Sequence, residues 1–349
     1  MESDRPGALA IEISDDALPG YGELSVSFAA ADFALKDLAG TLDYLVHYPN
    51  GCIEQTASSL LPLLALGTLA KRYPLGIPDV DEFAKAGVRR IGSMQQASGS
   101  FSYWPDGGGV SPHWSAYAAW VLGIAEEAGH DVPPGILADA YGYLDSVVSK
   151  SDSGDGDRDA ELPLALYALA KAGHHHPKML ERLYERRATL PVFAAGFLTL
   201  AIHERDPSDR RLREMEKLLS SWLDNPREDA VAPYHQMLFD SPTRTLAIAL
   251  FALLHIVPEH SGLDGYLERL LRQRENGHWR NTQENAYALL AIAKYGELQK
   301  PATAAAFEVR AWVNDEPLPA WTYDGSGGPV QPRLFCAPGC RSRIERRPQ

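Results

Sequence analysis

From residue 33 to residue 295, apolar side chains recur at i, i+3, i+4 and i+7 in segment after segment, divided by Gly, Pro and Asp turns. About twelve helical segments can be marked. They lie near 37–48, 51–71, 81–97, 113–128, 134–149, 159–172, 177–187, 190–204, 207–223, 243–256, 262–273 and 282–296. Short connections make sequence neighbours antiparallel pairs. Several segments, such as Leu246-Ala247-Ile248-Ala249-Leu250-Phe251-Ala252-Leu253-Leu254 and residues 286–293, are apolar nearly all round. Helices of that kind are buried inside a second layer. The pattern predicts an all-α core, an α/α toroid of about six hairpins, each with an inner and an outer helix. An internal echo fits repetition: Gln96-Ala97-Ser98-Gly99-Ser100-Phe101-Ser102-Tyr103-Trp104 and Gln273-Arg274-Glu275-Asn276-Gly277-His278-Trp279 both run from Gln through Gly to an aromatic, with a helix following.

The ends follow another period. Residues 8–14 and 22–29 alternate as two short strands split by Leu18-Pro19-Gly20. Residues 307–314 alternate too, with residues 318–323 as their partner across Asp315-Glu316-Pro317. The Gly/Pro/Arg-rich tail does not continue the pattern, and residues 326–349 are expected to be disordered. The expected division is therefore 1–30 strands, 31–300 helical domain, 301–325 strands and 326–349 tail.

The formal net charge of −13 argues against nucleic acid or an anionic membrane surface as a partner. No apolar stretch reaches the ~18–20 residues of a membrane span, and no secretory signal is visible after Met1. Of three cysteines, Cys336 and Cys340 are spaced for a small disulfide loop or half a metal site, without a second pair of ligands that would complete a zinc site. Cys52 is left over.

Cys52 lies in Tyr48-Pro49-Asn50-Gly51-Cys52-Ile53-Glu54-Gln55-Thr56, where turn residues lead into a long helical run. Cys52 and Gln55 are three apart and share one face of the first turn. A thiol at a helix start is expected to have its thiolate favoured by the free N–H groups there. Attack on the Gln55 carboxamide would expel ammonia and leave an internal Cys–Gln thioester, a stored acylating agent. The bland alternative is a small buried Cys beside a surface Gln.

The flanking residues resemble the Gly-Cys-x-Glu-Gln-Thr signature of the α2-macroglobulin and complement family, especially its bacterial branch. The resemblance runs from about residue 38 to residue 295. It includes Gly99-Ser100-Phe101-Ser102-Tyr103-Trp104, Trp114-Ser115-Ala116-Tyr117, Asp240-Ser241-Pro242-Thr243-Arg244-Thr245 and Asn281-Thr282-Gln283-Glu284-Asn285-Ala286. It implies a thioester-containing α/α toroid inserted into a CUB-type β-sandwich, of which the terminal strands would be an incomplete remnant. It also implies part of a protease inhibitor, not an enzyme. A protease cuts a bait segment elsewhere in the chain, and the exposed thioester links it through Gln55 while Cys52 leaves. Family members are far longer and are periplasmic, membrane-anchored or secreted, so this chain resembles a piece of one. The partners implied are target proteases and the rest of the macroglobulin chain, with no cofactor.

Within the motif, Glu54 reads as a first-turn acid that stabilises the helix start. Gly51 reads as a site of positive φ or close backbone approach, and Tyr48 and Pro49 as shields against water. Some complement relatives use a later histidine to pass the acyl group to hydroxyls. The corresponding loop here, residues 150–159, has none, so lysine amines are the expected targets. His113 is the nearest substitute, although a turn or surface histidine is the simpler reading. His174-His175-His176 reads as a solvated turn before a metal site. Asp152, Asp155, Asp157 and Asp159 lack the Gly and the closing Glu of a calcium loop. The aromatic groups Phe101/Tyr103/Trp104 and Trp114/Tyr117/Trp120 would line a cleft in the alternative of a terpenoid cyclase or prenyltransferase-like toroid, but the spacing of the second suits core packing. A toroid docking module without a thioester is the other alternative.

Overall fold

A computed structural model describes residues 7–12, 23–25, 38–46, 51–70, 80–151, 158–226, 237–299, 307–313, 315–323, 333–335 and 341–348. It divides into a helical unit, residues 37–70 and 75–298, and a strand unit made of residues 1–36, 71–74 and 299–349.

The described helices of the helical unit begin with α1 (Ala39–Val46), α2 (Ile53–Ala70), α3 (Val80–Gly92), α4 (Pro112–Glu127), α5 (Pro134–Lys150) and α6 (Leu162–Lys171). They continue with α7 (Pro177–Glu185), α8 (Val192–Arg205), α9 (Leu212–Asp224), α10 (Pro242–Ile256), α11 (Leu263–Arg272) and α12 (Thr282–Leu298). The even-numbered helices pack in the order α2, α4, α6, α8, α10, α12 and back to α2, a closed ring. The odd-numbered helices lie outside and pack on inner ones: α1 on α2, α3 on α2 and α4, α5 on α4 and α6, α7 on α8, α9 on α8 and α10, and α11 on α10. The unit is an α/α toroid, as the periodicity predicts.

Side-chain chemistry sorts the layers. Outer helices bury one stripe, such as Leu212, Met215, Leu219 and Leu223 on α9 or Leu263, Tyr266, Leu267, Leu270 and Leu271 on α11. Inner helices are buried on every side, as along residues 193–202 of α8 and 244–254 of α10. Inner helices approach closely: at Gly196 of α8 a Cβ would lie only 2.8 Å from Ile248 of α10. Trp114, Tyr117, Trp120, Tyr167, Phe197 and Tyr287 meet in the middle with ring centroids 5.4–6.4 Å apart. The Trp114/Tyr117/Trp120 series is core, as its spacing suggests.

The two echoing segments both connect an outer helix to an inner one. Each closes with a backbone bridge, Gln95 to Phe101 and Glu275 to His278. Gly99 takes φ 84°, and a Cβ there would lie 2.0 Å from the Asp139 carbonyl oxygen, so only glycine fits. The first turn runs on into a hairpin that the periodicity does not predict, β3 (Ser102–Trp104) with β4 (Gly107–Val110), leaving Trp104 43% exposed. The helix expected from residue 207 begins at Leu212, because Asp206 and Asp209 take the N–H groups of Ser208 and Arg211 in turns.

In the strand unit, β1 (Gly7–Glu12), β9 (Arg341–Pro348), β5 (Phe307–Val313) and β6 (Glu316–Pro317) pair antiparallel in that order, and β7 (Trp321–Tyr323) also pairs with β5. A second pair joins β2 (Glu23–Ser25) to β8 (Arg333–Phe335). The expectation of a disordered tail does not hold for β8 and β9. Both find partners far away in sequence, and β9 lies between β1 and β5, so ladders on both sides satisfy backbone groups that the local composition gives no reason to pair. The turn at residues 18–20 lies outside the described residues, as do Cys336 and Cys340.

Candidate functional site

Because every hairpin runs outer helix first, all six inner helices point the same way, and their N-termini share one end of the toroid. Cys52 sits there as the N-cap of α2. The carbonyl of Cys52 accepts the first helical bond from Thr56 N–H at 2.9 Å. Its sulfur accepts from the Gln55 backbone N–H at 3.5 Å, while its own N–H donates to Gln55 Oε1 at 3.3 Å. This is the reciprocal capping box of a helix start, with a thiol where serine or threonine would be and an amide returning from the third helical position. The cap thus joins Cys52 and Gln55 by two reciprocal hydrogen bonds, one to the sulfur and one to the carboxamide oxygen. Both residues are half-buried, partly open to solvent.

The electrostatics correct one expectation. Burial pushes the Cys52 thiol above its ordinary value; the Gln55 N–H works against this, and the Glu54 charge adds to the rise. The helix terminus alone does not make a ready thiolate here. Tyr103, on β3, is also pushed up, first by burial, against hydrogen bonds from Trp114 and Ser111, with the Cys52 charge contributing.

Glu54 does not serve the helix start. It is 3% exposed and turns inward, where its Oε1 accepts from Ser58 Oγ at 2.7 Å, Thr282 Oγ1 at 2.8 Å and Gln283 Nε2 at 3.0 Å. Gln283 Nε2 also reaches Ser58 Oγ at 2.8 Å, Ser58 Oγ lies 3.2 Å from Tyr117 OH, and Arg244 Nε donates to Gln283 Oε1 at 3.1 Å. The Arg244 guanidinium is fully buried, 4.9 Å from the Phe193 ring and 5.1 Å from that of Tyr287. The turn carrying Gln55 is thus tied to α12 and α10 by a buried polar chain. Burial raises the Glu54 carboxyl, against its three donors and Arg244.

Gly51 has no positive φ; its close neighbour is Arg90, whose Nε and Nη2 both donate to the Gly51 carbonyl at 3.1 and 2.9 Å. Tyr48 and Pro49 lie outside the described residues. His113 is not a surface residue: it is 1% exposed on the first turn of α4, edge-on to Trp114 at 4.8 Å. Its ring nitrogens have no hydrogen-bond partner among the described residues. Burial, with Arg244 nearby, holds it well below the ordinary histidine value and therefore neutral.

The other candidates are tied up in the scaffold. His174 Nδ1 and His176 Nε2 each lie 2.7 Å from a different oxygen of Asp145, so this turn is pinned to α5. Buried Asp159 pairs with Arg182 and Arg186 at 2.5 and 2.6 Å. Asp152, Asp155 and Asp157 are outside the described residues, among which no group of three or more His, Cys, Asp or Glu is placed to hold a metal ion. None of the described helices is long and apolar enough to cross a membrane.

Arg90, Arg244 and Gln283 were not singled out one by one from the sequence. Arg244 and Gln283 do fall inside the two later motifs, whereas Arg90 looks like any charge on an amphipathic helix.

No protein-family model matches the chain. It is 26% identical over 259 residues to an alpha-2-macroglobulin homolog of Nostoc, covering 70% of this chain and 13% of that protein. It is 39% identical over 103 residues to alpha-2-macroglobulin of Escherichia coli, covering 28% and 6%. With that of Xylella fastidiosa the identity is 24% over 271 residues, covering 74% and 16%. The chain thus spans well under a fifth of these relatives. In fold it matches native E. coli alpha-2-macroglobulin, with TM-score 0.66, 20% identity and coverage of 99% of this chain and 23% of that one. It also matches Salmonella alpha-2-macroglobulin reacted with methylamine, with TM-score 0.63, 23% identity and coverage of 98% and 24%.

Proposed function

We propose that this chain, a homologue of the bacterial alpha-2-macroglobulins, is the reactive part of a protease-capturing inhibitor that works through a Cys52–Gln55 thioester. The observation that carries the reading is the capping box, which presents the Cys52 sulfur and the Gln55 carboxamide to each other on one turn. In forming the bond, the sulfur attacks Gln55 Cδ and ammonia leaves. In using it, an amine attacks Cδ, an amide forms, and the Cys52 sulfur departs and takes up a proton. The reaction is single-use, so the chain is an inhibitor component and not a catalyst.

The raised thiol fits storage. A sulfur whose thiolate is disfavoured is a reluctant leaving group, and the bond survives until its surroundings change. Structures of E. coli alpha-2-macroglobulin activated by elastase and by trypsin, and the methylamine-reacted Salmonella protein, support proteases and amines as targets. Lysine side chains are the amines a protease offers. We assign residues 1–30 and 301–325 to parts of a CUB-like sandwich, and the bait segment to the remainder of a longer chain.

The test is thiol titration of the fresh chain before and after methylamine. One additional thiol, mapped to Cys52 by peptide analysis, is expected. A Cys52 thiol that titrates fully at the outset overturns the reading.

A further inference from the structure

Gly51 C=O and Cys52 N–H belong to one peptide unit. Its oxygen takes two hydrogen bonds from the Arg90 guanidinium, at 3.1 and 2.9 Å, and its N–H points the opposite way at Gln55 Oε1, at 3.3 Å. Arg90 comes from the last turn of α3 and is exposed, so holding it over Gly51 is not a matter of core packing. A cation on a peptide oxygen draws charge along the unit and makes its N–H a stronger donor. The acceptor of that N–H is the oxygen which turns negative whenever Gln55 Cδ becomes tetrahedral.

We propose that Arg90 is a positioning residue for acyl transfer at Gln55. It aligns and polarises the Gly51–Cys52 peptide so that Cys52 N–H serves as the oxyanion donor. The inference rests on the thioester reading and adds a residue outside its motif. When sulfur or amine adds to Gln55 Cδ, the carbonyl electron pair moves onto Oε1, where Cys52 N–H receives it. When ammonia or the Cys52 sulfur leaves, the pair returns. No oxidant or further reactant enters. Arg90 touches no reacting atom.

With only three cysteines in the chain, selective ¹⁵N-cysteine labelling makes the Cys52 amide directly observable. The comparison uses the full chain with Arg90→Ala, Arg90→Gln and Arg90→Lys. Arg90→Ala and Arg90→Gln should move the Cys52 amide proton upfield and slow methylamine-driven thiol release by about tenfold. Arg90→Lys keeps the charge and should recover most of both. A merely structural arginine predicts instead that the neutral donor glutamine rescues as well as lysine. An unmoved Cys52 amide in Arg90→Ala, or full rescue by glutamine, overturns the proposal. The amide readout does not need the thioester. A parent chain lacking amine-dependent thiol release therefore sinks the functional reading and leaves the Arg90 test standing on its own.

Discussion

Three inner helices of the toroid start in nearly the same way and do different things. On α4 and α10, Ser111 and Ser241 are N-caps whose hydroxyls accept from the N–H three residues on, that of Trp114 at 3.4 Å and of Arg244 at 3.1 Å. On α2, Cys52 accepts from the N–H of Gln55 at 3.5 Å. The backbone device is shared. What differs is the capping atom and the side chain at the third position: oxygen with Trp or Arg on α4 and α10, sulfur with a carboxamide on α2. A helix start becomes a candidate reactive centre through two substitutions in an ordinary cap, with no special backbone. The surroundings differ as well. Ser241 Oγ reaches Glu284 on α12 at 2.7 Å and stitches two inner helices together. Cys52 spends its local bonds on Gln55, and the stitching of its turn is left to Glu54.

The comparison can be broken at several points. The largest effect is expected from Cys52→Ser, which makes α2 start as α4 and α10 do. Methylamine incorporation should vanish, while the melting temperature stays close to the parent's, because serine is itself a good cap. Residual uptake at Gln55 would show that the sulfur is not the partner.

Next comes Glu54→Ala, which orphans the donors on Ser58, Thr282 and Gln283 inside the core and should cost about 2–4 kcal/mol in urea unfolding. A loss under half a kcal/mol would mean that the buried chain is not what ties α2 to α12. Glu54→Gln sharpens this through pH. Burial raises the folded carboxyl above its ordinary value near 4.5, so the folded state holds the proton more tightly than the unfolded chain. The stability that this proton confers is complete below about 4.5 and is lost as pH rises through the raised folded value. Stability measured from pH 4 to 8 should therefore decline in the parent relative to Glu54→Gln across that window. Parallel curves would contradict it.

The smallest effects belong to the ordinary caps. Ser241→Ala should cost about 1–2 kcal/mol, and Ser111→Ala about 1 kcal/mol, since only Ser241 also serves a buried carboxylate. Neither should change amine reactivity by more than its loss of stability allows.

What the sequence revealed follows the range of its signals. Helix period, apolar faces and Gly/Pro punctuation are local, and they gave the hairpins and the inner–outer sorting. The cap at Cys52 is local too: the spacing of three puts Cys52 and Gln55 on one face, where they hydrogen-bond, while a thioester was suggested by the flanking motif. Glu54 was misread because its partners on α12 are 228 and 229 residues away, and a first-turn acid looks the same facing inward or outward. His113 follows the same pattern: the helical period marks a segment starting near residue 113, but only ring closure shows that this start is buried. Arg90 carries no sequence mark, since a basic residue in the last turn of an amphipathic helix is ordinary, and its acceptor on Gly51 appears only when α3 packs on α2. Strand β9 escapes the sequence for the same reason: its neighbours β1 and β5 are remote, and half of its eight residues are Arg.

The intact mass of the freshly purified chain, before and after methylamine, tests the central claim most directly. A thioester gives a mass about 17 Da below that of the sequence, one ammonia lost, rising by about 31 Da when methylamine adds at Gln55. A mass equal to the full sequence and unchanged by methylamine, with Cys52 free from the start, would contradict it.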